Sequence, residues 1–169
     1  EEYYMNLIAD AMIPYLNASG ISYVRNTPEM TAGSSISQSN SGSYDLHLAL
    51  HSNASAPQNS GQNRGVEVYF YPRSARGRQA AEIIADNMRL IYPDPLRVRT
   101  VETTSLGEVA RTRAPSVLIE YAYHDNYLDA YEESEGFDPA EMFQSVPGAP
   151  VKGSIWRGGQ SYRLCSILG

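Results

Sequence analysis

Cysteine is almost missing from this 169-residue chain. Cys165 stands alone, so no intrachain disulfide can form and a cysteine-rich zinc knuckle is excluded. Basic charge is scarce too. Thirteen Lys and Arg face nineteen Asp and Glu, the net charge is −6, and Lys152 is the one lysine. Phosphate backbones need a basic surface, so no nucleic-acid partner is expected. The local cluster Arg73, Arg76 and Arg78 reads as a solvated loop and helix start. No apolar run reaches the about 18 residues that span a bilayer, so no transmembrane segment is expected. No Gly-x-Ser-x-Gly elbow is present, which disfavours a serine hydrolase.

What is there is ordinary for a folded domain: 42% hydrophobic and 19% charged residues. The length fits one domain with a sizeable core. The chain opens inside a helical pattern, "EEYYMNLIADAM", with Met5, Ile8, Met12 and Tyr15 on one face and Gly20 as its stop. "ISYVRN" (21–26) reads as a short strand. Residues 27–43 are rich in Ser, Thr, Gly and Asn and read as a surface loop with at most one helical turn. Residues 44–51 form the next strand, and 53–65 a long polar loop. "VEVYFYP" (66–72) is a strand closed by Pro72, and Ser74 to Tyr92 is helical, with Ala80, Ala81, Ile84 and Met88 on one face. "RVRTV" (97–101) is a short strand, 105–111 a turn of helix, and "PSVLIEYAY" (115–123) a central strand buried on both faces.

Strands alternating with helices predict a three-layer α-β-α domain around a mostly parallel, mixed sheet. Residues 1–130 form the expected catalytic domain, and 131–169 are unassigned. Within the tail, "YEESEGFDPAEMF" reads as an acidic helix or loop and "GSIWRGGQSYRL" as a hairpin turning at Gly158-Gly159.

In such sheets ligands sit at the C-terminal strand ends. That rule selects His51, at a strand end, and Glu120, within or near the end of another strand. His47 and His51 are four residues apart on one strand, about 13 Å at the usual rise. Zinc holds nitrogen at about 2.0–2.1 Å, so the two cannot share one metal. His47 is expected to be a hydrogen-bonded or partly exposed sheet histidine. Glu120 interrupts an apolar run, and a carboxylate there is costly unless paired, hydrogen-bonded or metal-bound. Burial raises its proton affinity and suits it to general-base work. A strand-end carboxylate exposed to water is an equal reading.

The ordered segments "EYYMNLIA", "YVRN", "YDLHLALHSNA", "GVEVYFYP" and "LGEVARTRAPSVLIEYAYHDN" resemble the zinc-dependent N-acetylmuramoyl-L-alanine amidases of the family-3 type. These cleave the amide between the muramic acid lactyl group and the first L-alanine of the peptidoglycan stem. The resemblance covers roughly residues 1–130. It implies Zn2+ as cofactor, with Glu2 and His51 as ligands and Glu120 as the catalytic carboxylate. Asn53, Arg111 and Asn126 fall on motif positions with weaker substrate or structural claims. Glu1 is a solvated neighbour, and His124 falls on a variable position. The family's first zinc histidine precedes its helix-opening glutamate and is expected upstream of Glu1. The resemblance further implies peptidoglycan as partner, a monomer, and action outside the cell or in its envelope, as an autolysin, a spore-associated enzyme or a phage endolysin. Two other readings stand beside it: a non-catalytic peptidoglycan-binding module of the same fold, and another zinc amide hydrolase such as a carboxypeptidase.

Overall fold

The computed structural model describes residues 2–131 and the strand 162–168. Helix α1 (Glu2–Ala18) forms where the helical spacing puts it, with Pro14 inside it. Gly20 then turns the chain at φ +67°, a left-handed value that glycine adopts without a Cβ penalty. Next come β1 (Ile21–Arg25), α2 (Ala32–Ser41), β2 (Leu46–Asn53), β3 (Val66–Phe70) and α3 (Ala75–Ile91). They are followed by β4 (Val98–Glu102), α4 (Gly107–Ala110), β5 (Ser116–Tyr123), α5 (Tyr127–Tyr131) and β6 (Tyr162–Leu168).

The six strands lie in the order β1-β6-β2-β5-β3-β4. All neighbours are parallel except β3 and β5, which run antiparallel. The C-terminal ends of β2 and β5 therefore meet the starts of β3 and β4 along one edge of the sheet. Alternation sorts the side chains into two faces. Leu46, Leu48 and Leu50 of β2, Val117, Ile119 and Tyr121 of β5, and Val66, Val68 and Phe70 of β3 join the main core. Met5, Ile8, Ala9 and Met12 of α1 and Ala80, Ala81, Ala85 and Met88 of α3 cover that face. Ala49, Leu118 and Val109 form a smaller cluster on the other face, with Tyr69, Tyr71 and Leu106 packed against it. Helices on both faces of a mixed sheet make the expected three-layer α-β-α domain.

Two sequence expectations need correction. Residues 27–43 hold a ten-residue helix, α2, instead of a loop. Thr31 closes a capping box: its hydroxyl accepts from the Ser34 amide, and the Ser34 hydroxyl accepts from the Thr31 amide. The helix buries Ser35, Ile36 and Ser39, so small serines supply most of a packing face that apolar spacing does not reveal. The second correction concerns the tail. Tyr162–Leu168 is an interior strand, parallel to both β1 and β2. The turn expected at Gly158-Gly159 and the acidic segment before it lie outside the described residues.

Candidate active site

A row of polar side chains crosses the sheet near the shared edge. His51 on β2 is in register with Glu120 on β5, Glu120 with Glu67 on β3, and Glu67 with Arg99 on β4. Directly opposed residues in an antiparallel pair bring their Cβ atoms about 4.5–5.5 Å apart, so two glutamates, Glu67 and Glu120, stand side by side. Like charges at that distance repel unless other groups compensate. Compensation falls on Glu67: Arg99 Nη2 donates to its Oε1, and the Tyr69 hydroxyl and Asn53 Nδ2 (3.3 Å) donate to its Oε2. Burial, with the neighbouring Glu67 and Glu120 charges, pushes the Tyr69 hydroxyl well above its ordinary range, so it remains a donor.

The strand ends are bent at this point. Between His51 and Asn53 two steps of β2 match three of β5, from Glu120 to Tyr123. The extra residue on β5 produces a bulge, and Ala122 takes φ +61° there while 1% exposed. Left-handed backbone at a buried alanine is strained and is found where a strand end is re-aimed, commonly beside functional sites.

His51 and Glu120, distant in sequence, are thus brought onto adjacent strands. Glu2 opens α1. That helix packs on β1 and joins it through a short turn, so it runs antiparallel to β1 and its first residue points toward the edge where β2 and β5 end. The side chain of Glu2 lies outside the described residues. Asn53 ends β2 and is tied to Glu67. Arg111 caps α4, and its carbonyl accepts from Asn40 Nδ2 at 2.8 Å. Asn126 is scaffold: Oδ1 accepts from the amides of Leu128 (3.1 Å) and Asp129 (3.4 Å), and Nδ2 donates to the Gly61 carbonyl at 2.6 Å.

The histidines hold one surprise. His47 is neither partly exposed nor hydrogen-bonded: it is fully buried, and neither ring nitrogen has a hydrogen-bond partner among the described residues. Its Nε2 stands 3.7 Å from Glu108 Oε1, while His51 Nε2 lies 2.9 Å from Glu108 Oε2. The residues too far apart to share a metal share a carboxylate. Burial works to raise the Glu108 pKa, but the two facing imidazoles outweigh it and hold the carboxyl at about 2. Glu108 went unnoticed in the sequence because a glutamate in a one-turn helix reads as solvent-facing. His124 accompanies β2 differently, with Nδ1 3.0 Å from the Ser52 hydroxyl.

The polar loop after β2 is pinned to this edge. Asp125 accepts from the amides of Ser55 (3.0 Å) and Gly61 (2.9 Å). Asp129, fully buried, accepts from Arg64 Nε (3.0 Å), the Tyr92 hydroxyl (2.6 Å) and the amides of Gly65 and Tyr123 (2.9 Å each).

Solved structures share this mixed-sheet α-β-α fold. The catalytic domain of the CD27L endolysin targeting Clostridia difficile matches with a TM-score of 0.68 and 23% identity, covering 83% of this chain and 77% of that one. The N-acetylmuramoyl-L-alanine amidase of Clostridium difficile 630 matches at 0.69 and 17%, covering 82% and 76%. The catalytic domain of CwlV from Bacillus (Paenibacillus) polymyxa var. colistinus matches at 0.66 and 15%, covering 82% and 76%. No curated protein matches the chain. The family profile described as N-acetylmuramoyl-L-alanine amidase matches residues 1–139, and the chain belongs to that family. No helix among the described residues is long and apolar enough to cross a membrane.

A catalytic zinc takes three protein donors and keeps one open position. Among the described residues no three His, Cys, Asp or Glu side chains converge as such a cluster. His51 fits as one donor: its ring, partly exposed at the strand end, stands beside a carboxylate residue in register on the next strand.

Proposed function

We propose that this protein hydrolyses the amide between N-acetylmuramic acid and L-alanine in peptidoglycan, as a zinc enzyme, outside the cell or in its envelope. Family membership supports the peptidoglycan amidase class. The observation that carries the residue assignment is the register pair His51–Glu120 at the C-terminal edge of the sheet. His51 and Glu2 would supply two of the metal's donors. A zinc ion supplies a water acidic enough to ionise near neutral pH and a positive charge for the developing oxyanion.

Glu120 acts as the general base. It accepts the proton of the attacking water, whose oxygen bonds to the lactyl carbonyl carbon. As the C–N bond breaks, Glu120 returns that proton to the L-alanine nitrogen, which leaves as a neutral amine. Glu67 beside it is ion-paired with Arg99 and hydrogen-bonded by Tyr69 and Asn53, so the two glutamates divide into one reacting and one structural carboxylate. Asn53 is then a positioning residue held by Glu67.

The test is Glu120→Gln, with release of stem peptide from purified cell walls as readout. General-base removal should lower the rate by about 10²- to 10⁴-fold. Undiminished release refutes the base assignment. Zinc at stoichiometric level in the wild-type protein separates this reading from a binding module of the same fold.

A further inference from the structure

We infer that Glu108 is a positioning residue that fixes the His51 ring for metal ligation, with His47 as a buried brace behind it. The inference rests on the zinc reading of His51. It goes further, because it assigns a role to a carboxylate that no motif singled out.

Glu108 is 4% exposed, and a buried carboxylate is retained only where something compensates it. Here the compensation is directional. Oε2 lies 2.9 Å from His51 Nε2. An ionised carboxylate only accepts, so the proton of a neutral His51 must sit on Nε2. Ligation then runs through Nδ1, and the ring cannot flip without losing its bond. Metal-binding histidines commonly give their second N–H to a carboxylate in this manner, which sets the tautomer and strengthens the donor.

The scaffold holds Glu108 where this role needs it. One turn of helix is too short to be stable by itself. Yet α4 is anchored at several points. Val109 packs with Ala49 and Leu118, and Ser116 Oγ donates to the Val109 carbonyl at 2.8 Å. Thr112 Oγ1 donates to the Glu108 carbonyl at 2.9 Å. Asn40 of α2 donates to the Arg111 carbonyl and accepts from the Arg113 amide at 2.7 Å. His47, fully buried 3.7 Å from Oε1, closes the side of Glu108 away from His51. A mere packing anchor at position 108 needs no charge and no alignment with a strand-end imidazole.

Glu108→Gln keeps the shape, but its amide can donate or accept and so selects neither tautomer. Two measurements test the idea on the full-length protein. Long-range proton–nitrogen NMR of the metal-free wild type should show His51 with its proton on Nε2, and Glu108→Gln should lose that single tautomer. Zinc affinity, by competition with a chromophoric chelator, should fall roughly 10- to 100-fold in Glu108→Gln while its circular dichroism stays that of the wild type. A wild-type His51 protonated on Nδ1 overturns the inference. So does a folded Glu108→Gln with wild-type zinc affinity. If Glu108→Gln fails to fold, the wild-type tautomer alone decides. Wild-type protein that takes no zinc overturns the metal reading itself, a different result from equal binding by both proteins.

Discussion

Asp129→Asn measures how firmly the site edge is held. Both oxygens of this fully buried carboxylate are doubly used, Oδ1 by Arg64 and Tyr92 and Oδ2 by the amides of Gly65 and Tyr123. An asparagine has one carbonyl, so one of these pairs must face an NH2 group. The better orientation keeps the two backbone amides bonded, since neither can move. Arg64, whose side chain is 22% exposed, can turn to water. Tyr92 cannot, because it is 4% exposed, and burial beside Asp129 keeps its hydroxyl protonated. A buried donor without an acceptor costs about 1–3 kcal/mol, and loss of a charged partner for Arg64 adds to it. The expected loss is about 2–4 kcal/mol, read by urea denaturation followed by circular dichroism, or a Tm lower by about 5–15 °C for a chain of this size. Tyr92→Phe alone should cost about 1 kcal/mol. In the Asp129→Asn background it should cost nothing or restore stability, because it deletes the stranded hydroxyl. Additive costs, or Asp129→Asn within about 0.5 kcal/mol of wild type, refute the reasoning.

Two further outcomes follow from the same edge. The amides of Gly61 and Ser55 hold the Asp125 carboxyl at about 2, below its ordinary 3.8. A depressed carboxylate contributes stability that is present above its unfolded pKa and lost as pH falls. Amide exchange at Ser55 and Gly61 should therefore accelerate between about pH 4 and 2, and Asp125→Asn should remove that dependence; an unchanged profile in the variant counts against it. Gly65 has φ +122°, and a Cβ there would meet the Arg97 carbonyl oxygen at 2.4 Å. Gly65→Ala should destabilise by about 1–3 kcal/mol or more in thermal melts, and a neutral result would show that the loop can shift.

The layers were legible because apolar periodicity is strong where the core is large. The spacing of Met5, Ile8 and Met12 and the alternation in "VEVYF" each point to one buried face. Helix α2 was not legible for the converse reason. It lies on the thinner face, buries Ser35 and Ser39, and is capped by a serine where the usual box has Glu or Gln. Strand β6 was misjudged because the Gly158-Gly159 pair suggests a hairpin, while partner choice between parallel strands is a property of the whole sheet.

The candidate site divides along the same line. His51 and Glu120 could be found singly, one by its strand-end position and the other as a carboxylate in an apolar run. What no single segment contains is the strand order β2-β5-β3-β4, which sets His51, Glu120, Glu67 and Arg99 abreast. Strand arithmetic separated His47 from His51 for a shared zinc. It could not see that side chains on one face can lean toward a third group arriving from α4. Glu108 supplies that group, and its burial beside two imidazoles is a fact of packing between elements 57 residues apart. The residues proposed to carry the chemistry were therefore readable as local anomalies. Glu108, proposed to aim one of them, was not, because its signal is the convergence itself.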